Sequence, residues 1–180
     1  MPDGPDDIAT FAVSDQTAVG FGLEINSIVF AQDASSYAFD LEGVPDFTGG
    51  GIINNSSNLQ SFEIGWVSYY INGYPYSISF YNSATAGELT QFTIEAAPGE
   101  DEFGGELIFW NSSTAGSAVI NNLGGGPYYT SGASFTLFED ESSAENATII
   151  NEGGGLYGHG VSRFDNNSTA GNATIINNAR

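Results

Sequence analysis

The C-terminal half of the chain repeats itself at a nearly fixed period. Phe80, Phe109, Phe138 and Phe164 each open a similar block, at spacings of 29, 29 and 26 residues. The phrase Phe109-Trp110-Asn111-Ser112-Ser113-Thr114-Ala115-Gly116 returns as Phe164-Asp165-Asn166-Asn167-Ser168-Thr169-Ala170-Gly171. A unit of this size cannot bury its own apolar side, so neighbouring units must stack. That requirement excludes most closed globules. It also places any function on a repeated surface rather than in one pocket.

Aligned on the phenylalanines, the blocks match along their whole length. Ala118, Ala147 and Ala173 correspond, as do Ile120, Ile149 and Ile175. Asn82, Asn111, Asp140 and Asn166 share one phase, and Asn122, Asn151 and Asn177 another. Gly124-Gly125-Gly126 matches Gly153-Gly154-Gly155. Sustained helical spacing is absent. Short apolar or alternating runs bounded by Gly, Asn, Asp or Pro recur instead, among them Ser27-Ile28-Val29-Phe30, Ser77-Ile78-Ser79-Phe80 and Ser134-Phe135-Thr136-Leu137-Phe138. These are strand-and-turn signals.

A sandwich of hairpins gives no reason to put the same residue at the same phase. Parallel coils stacked about 4.8 Å apart do, because equal residues then lie over one another. Phe and Ile fill a continuous core, Asn over Asn at a bend forms an amide ladder, and Gly supplies corners. The expected fold is therefore all-β, a right-handed parallel β-helix, or β-solenoid, with coils of about 22–29 residues. It forms a single domain over residues 1–180: residues 1–75 are degenerate N-terminal coils and a cap, and 76–180 are clear repeats. The structural ladder residues are Phe80, Phe109, Phe138, Phe164, Asn111, Asn166, Asn122, Asn151 and Asn177. Length differences fall into loops along one edge, such as 98–105, 127–132 and 156–160.

Charge restricts the partners. Two arginines, Arg163 and Arg180, stand against 22 acidic residues, for a net charge of −20. Nucleic acid and anionic lipid are excluded, because binding either one needs cations. No run approaches the ~20 apolar residues of a membrane helix, so no membrane insertion is expected. Met1–Asp7 has no apolar core, so no signal peptide is expected within this sequence. The absence of cysteine removes disulfides and thiolate chemistry.

The Ser-Thr-Ala-Gly-x-Ala-x-Ile-x-Asn phrase at 113–122 and 168–177 resembles repeats of bacterial surface proteins of the autotransporter-passenger type. The resemblance implies a secreted parallel β-helix at the cell surface and brings no catalytic set. It departs at Ser83-Ala84-Thr85-Ala86-Gly87 and at Ser143-Ala144-Glu145-Asn146.

Chemistry has little to work with. A polysaccharide lyase needs a cationic base and cations to hold its substrate, and the chain has two arginines. Glycoside hydrolysis needs two facing carboxylates. Acids cluster at Asp40 and Glu42, at 100–102, at Glu139-Asp140-Glu141 and at Asp165, where solvated loop charge explains them. His159 stands alone in a Gly-His-Gly loop, and no serine lies in a nucleophile elbow. No enzyme is expected, and no cofactor. Among ions calcium fits the oxygen donors best, with Glu139, Asp140 and Asp165 as metal candidates. Trp110 is the best candidate for stacking on a sugar, since Phe109 beside it points inward. The sequence thus predicts an extracellular, cell-surface structural or adhesive element. It would self-associate end to end through its terminal coils, or form part of a longer passenger, and surface glycans are its other partners. A glycan-binding or glycan-cleaving β-helix is the alternative.

Overall fold

The computed structural model describes residues 4–19, 24–41, 43, 45–68, 74–99, 102–126, 132–155 and 158–178. Among these residues there is no helix, and two seven-stranded parallel sheets form the walls of a β-solenoid. Sheet A holds β1 (Ile8–Phe11), β3 (Ile25–Phe30), β5 (Asp46–Asn54), β8 (Ser77–Phe80), β11 (Glu106–Phe109), β13 (Phe135–Phe138) and β15 (Val161–Phe164), in that order. Sheet B holds β2 (Ala18–Val19), β4 (Ala38–Leu41), β6 (Gln60–Ile64), β9 (Thr90–Ile94), β12 (Val119–Asn122), β14 (Thr148–Asn151) and β16 (Thr174–Asn177). The chain alternates between the sheets, one strand of each per coil. Two further strands, β7 (Val67–Ser68) and β10 (Glu102–Phe103), pair antiparallel at the edge.

The register stacks equal residues. Phe80, Phe109, Phe138 and Phe164 are direct partners across sheet A, and Phe47 extends the column. Successive rings lie 4.8, 5.1, 4.8 and 4.7 Å apart and nearly parallel. Each buried Phe contributes roughly 1.5–3 kcal/mol by leaving water, and ring pairs in this range add roughly 0.5–1.5 kcal/mol. The N-terminal coils carry a second column on the opposite wall: Phe39 stacks on Phe62 at 4.6 Å and Phe62 on Phe92 at 5.2 Å. From Phe92 this wall passes to Ile120, Ile149 and Ile175. One aromatic wall and one aliphatic wall thus face each other in the later coils, while both are aromatic in the middle ones. Between β3 and β5 the register slips at Ile25/Ser27, which lets the long β5 reach from sheet A into the adjoining corner.

That corner is a third, narrow ladder. Single residues Gly51, Thr85, Thr114, Ser143 and Thr169 pair in parallel from coil to coil. Two turns flank it in each of the last four coils. The first places Asn82, Asn111, Asp140 and Asn166 at φ of 57°, 55°, 56° and 57°. Asn and Asp tolerate this left-handed conformation better than other L-residues, which explains why the phase admits only those two types. The second turn uses Gly87, Gly116 and Gly171 at φ of 81°, 60° and 58°, but Glu145 takes the same place at 47°. At the opposite edge the backbones touch: a Cβ on Gly124 would lie 2.2 Å from the carbonyl oxygen of Gly153.

Glu145 is the one coil position of this phase where a side chain bears the left-handed strain. Glu145→Gly is expected to raise stability by about 1 kcal/mol, read as a higher denaturation midpoint in urea at unchanged slope.

Candidate functional site

Sequence positions 122, 151 and 177 form a directional amide ladder at the end of sheet B. Asn122 Nδ2 donates to Asn151 Oδ1 at 2.8 Å, and Asn151 Nδ2 to Asn177 Oδ1 at 2.8 Å. Cross-braces run to the opposite wall, where Thr136 Oγ1 donates to Asn122 Oδ1 at 2.7 Å and Asn151 Nδ2 donates to Ser162 Oγ at 3.0 Å. Asn122 is fully buried, so these bonds replace its water.

The other asparagine phase does something different. The Asn82 amide donates to Asn111 Oδ1 at 3.0 Å, and the Asn111 amide and Nδ2 both donate to Asp140 Oδ2 at 3.0 and 3.1 Å. These side chains tie each left-handed turn to the one on the next coil. Asn111, Ser112, Asp140, Glu141, Asn166 and Asn167 line a shallow polar depression of about 550 Å³ on this face.

Each of the three metal candidates is engaged by a side-chain partner. Asp140 is committed to Asn111. Arg163 bonds Asp165 through Nε and reaches Glu139 Oε1 through Nη2 at 3.3 Å. Glu139 Oε2 accepts from Asn166 Nδ2 at 3.0 Å. The guanidinium therefore stands where a cation between Glu139 and Asp165 would stand. Among the described residues no group of three or more His, Cys, Asp or Glu side chains has the arrangement to hold a metal ion. Arg163 staples β15 to the coil before it, and the hydrogen bond with Asp165 strengthens its hold on its proton.

Trp110 has one ring face taken. It stacks on Tyr81 of the preceding coil at 6.3 Å with planes 5° apart, and its indole N–H is buried without a partner. The exposed aromatics lie elsewhere, at Trp66 and Tyr74 (38% and 78% exposed). The sequence offered both among the aromatics outside the Phe ladder but ranked Trp110 above them, because neither lies in the repeat. Of the loop acids, Glu102 accepts from the Gly99 amide at 2.7 Å. Glu42, Tyr69, Tyr70, Glu100, Asp101, Tyr128, Tyr129 and Arg180 lie outside the described residues. His159 is exposed between two buried glycines.

Among the described residues the resolved carboxyl shifts run upward. Burial raises Asp46, against a hydrogen bond from Ser79, and the charge of Glu24 adds to the rise. Burial also raises Glu106, with Arg163 opposing. Burial raises Glu95 too, reinforced by contact with Glu63 and by the charge of Asp40. No family model, curated protein or solved structure matches the chain.

Two outcomes follow. Asn151→Ala strips Asn122 of its acceptor inside the protein and is expected to cost about 1–3 kcal/mol in chemical denaturation. For pH, a raised carboxyl favours the folded state when protonated. Its contribution is full below the ordinary values of 3.8 for Asp46 and 4.5 for Glu95 and Glu106 and is lost as pH rises through the raised values. Thermal midpoints measured on the acid side of neutrality should therefore exceed those at neutral and alkaline pH, until general acid unfolding sets in.

Proposed function

We propose that the chain is a structural or adhesive β-solenoid acting outside the cell, at the cell surface, and that it works by stacking coil on coil with a second copy. The observation that supports this reading is the translational repeat itself, which gives successive coils the same Phe, Ile and Asn phases in register with their neighbours. The aromatic, aliphatic and amide columns all run into the last described coil in register. Its strand β16 has Ile175 and Ile176 38% and 40% exposed. Thr174 and Asn178 donate back to Ala147 and Asn151 at 2.9 Å. By the alternation of a parallel strand, Ile175 and Asn177 then direct their amides away from β14. A strand edge of this kind pairs with whatever presents the same spacing. The best match is another coil bearing Phe, Ile and Asn at the same phases.

A function of this kind is mechanical. Stiffness comes from the ladders, and the surface meets its surroundings through acidic side chains that keep the particles apart sideways. Lateral repulsion with axial adhesion favours thin fibres over sheets or clumps.

Glycan contact is the second reading, favoured by the exposed rings of Trp66 and Tyr74. Binding fits it better than cleavage.

Ile175→Pro removes one outward amide from β16 without touching a bond to β14. Light scattering and electron microscopy should show concentration-dependent rods for the natural chain and shorter particles for the variant. Strictly monomeric natural protein at high concentration would overturn the stacking reading.

A further inference from the structure

One corner of the core carries hydroxyls with nothing to bond. Ser113 and Ser142 are fully buried, and the Oγ atoms of both, together with that of Ser168, have no hydrogen-bond partner among the described residues. The three serines occupy one phase. Each amide closes the same turn, onto the carbonyls of Trp110, Glu139 and Asp165 at 3.1 Å. Each serine stands one residue before the third ladder, where Thr114, Ser143 and Thr169 pair in parallel. The Ser143 amide donates to the Ser113 carbonyl and the Thr169 amide to the Ser142 carbonyl, both at 3.0 Å. The backbones of Ser113 and Ser142 are thus stacked and satisfied, and only the hydroxyls are left over.

The turn itself does not need them. In the coil before, Ala84 makes the same bond, to the Tyr81 carbonyl at 3.0 Å, and its own carbonyl accepts from the Thr114 amide at 2.9 Å. Ala34 closes a matching turn onto Ala31 at 3.0 Å. Both alanines are fully buried, so the interior accepts a plain methyl group at this phase. The inward residues that follow the serines are small and apolar, Ala115 and Ala118 in one coil and Ala144 and Ala147 in the next. Other buried hydroxyls do find partners: Thr90 Oγ1 donates to the Ala86 carbonyl at 2.8 Å, and Thr136 Oγ1 to Asn122 at 2.7 Å. A hydroxyl that is buried and unpaired loses its water without compensation. Three on successive coils, at a phase where alanine suffices, point to a shared ligand.

We propose that the serine phase holds a file of internal water molecules, one between Ser113 and Ser142 and one between Ser142 and Ser168. Coils about 4.8 Å apart set successive hydroxyls too far from each other for a direct bond and at the right span for one bridging oxygen. A hydroxyl donates once and accepts twice, so Ser142 serves both waters, giving its proton to one and accepting from the other. Each water then has two polar partners, the fewest that hold a buried water. The donors select water over a metal ion, since two neutral hydroxyls fall well short of the oxygen shell a hard cation needs. Coil is then tied to coil at both ends of the cross-section. At one end amides bond directly, as Asn122 does to Asn151. At the other the side chains are too short to meet, and water completes the chain. The tie lies inside each molecule and does not depend on copies stacking on one another.

Deuterium and oxygen-17 magnetic relaxation dispersion counts long-lived internal waters on the full chain. Ser142→Ala should remove two of them. Ala84→Ser lengthens the file by one hydroxyl and should add one. Stability reads the same question by its sign. With the waters in place, Ser142→Ala leaves Ser113 and Ser168 unpaired and should lower the folding constant several-fold in a urea titration. A Ser142→Ala protein with a raised folding constant, as loss of a dry hydroxyl would give, overturns the file. So does an unchanged water count in either variant.

Discussion

Everything in this molecule depends on parallel stacking in register. A parallel ladder fixes the distance between coils, and that distance is close to the contact distance of planar side chains. Phenyl rings and amide groups can therefore repeat along the axis at the backbone's own spacing without strain, as the 4.7–5.1 Å ring separations show. A one-residue slip would send every Phe of a strand outward. Ladder and core thus reinforce each other, and neither alone would hold a chain that lacks disulfides.

The same translation makes charge a problem. A side chain at one phase meets its equivalent on the next coil, so an acidic phase would stack like charges. The chain avoids this where it can. Asp140 lies between asparagines, and Glu139 and Asp165 are joined through Arg163. At Asp40, Glu63 and Glu95 acids remain neighbours, and burial, with Glu63 beside it, holds the Glu95 carboxyl above its ordinary value. A protein with this surface is coupled to pH and salt through its carboxyls, and the upward shifts at Asp46, Glu95 and Glu106 are three local instances of that coupling.

Period and phase made the solenoid legible in the sequence, because stacking in register converts spatial contact into sequence recurrence. The Phe80 to Phe164 column could be read for that reason. The opposite wall was harder. Phe39, Phe62 and Phe92 carry the role that Ile120 and Ile149 carry later, so identity changes along the column while the phase is kept. The N-terminal coils read as degenerate on that account. The third ladder was invisible because Thr85, Thr114, Ser143 and Thr169 are single bridging residues with no strand around them, and only Gly51 at its start lies in one. Two asparagine phases looked alike in the sequence and differ in physics: one sits at ordinary φ and pairs amides, the other supplies left-handed turns. The pairing of Trp110 with Tyr81 was hidden because only two of the four blocks carry an aromatic ring after the inward Phe.

Where the repeat is perfect, the surface offers the same small polar groups on every coil and distinguishes no place from another. Individuality enters where translation fails. Glu145 replaces glycine at a left-handed turn, Leu89 holds φ of 49° while 48% exposed, Arg163 supplies a cation to one coil, and the β7/β10 ribbon leaves the walls altogether. Each departure works against the stacking energy that a regular coil would gain, and each is held by specific partners rather than by the ladder. Glu95 lies at the root of the largest departure and bonds both of its legs. A solenoid can be rigid because its coils are alike. Any response to its surroundings must then be built at the few positions where they are not.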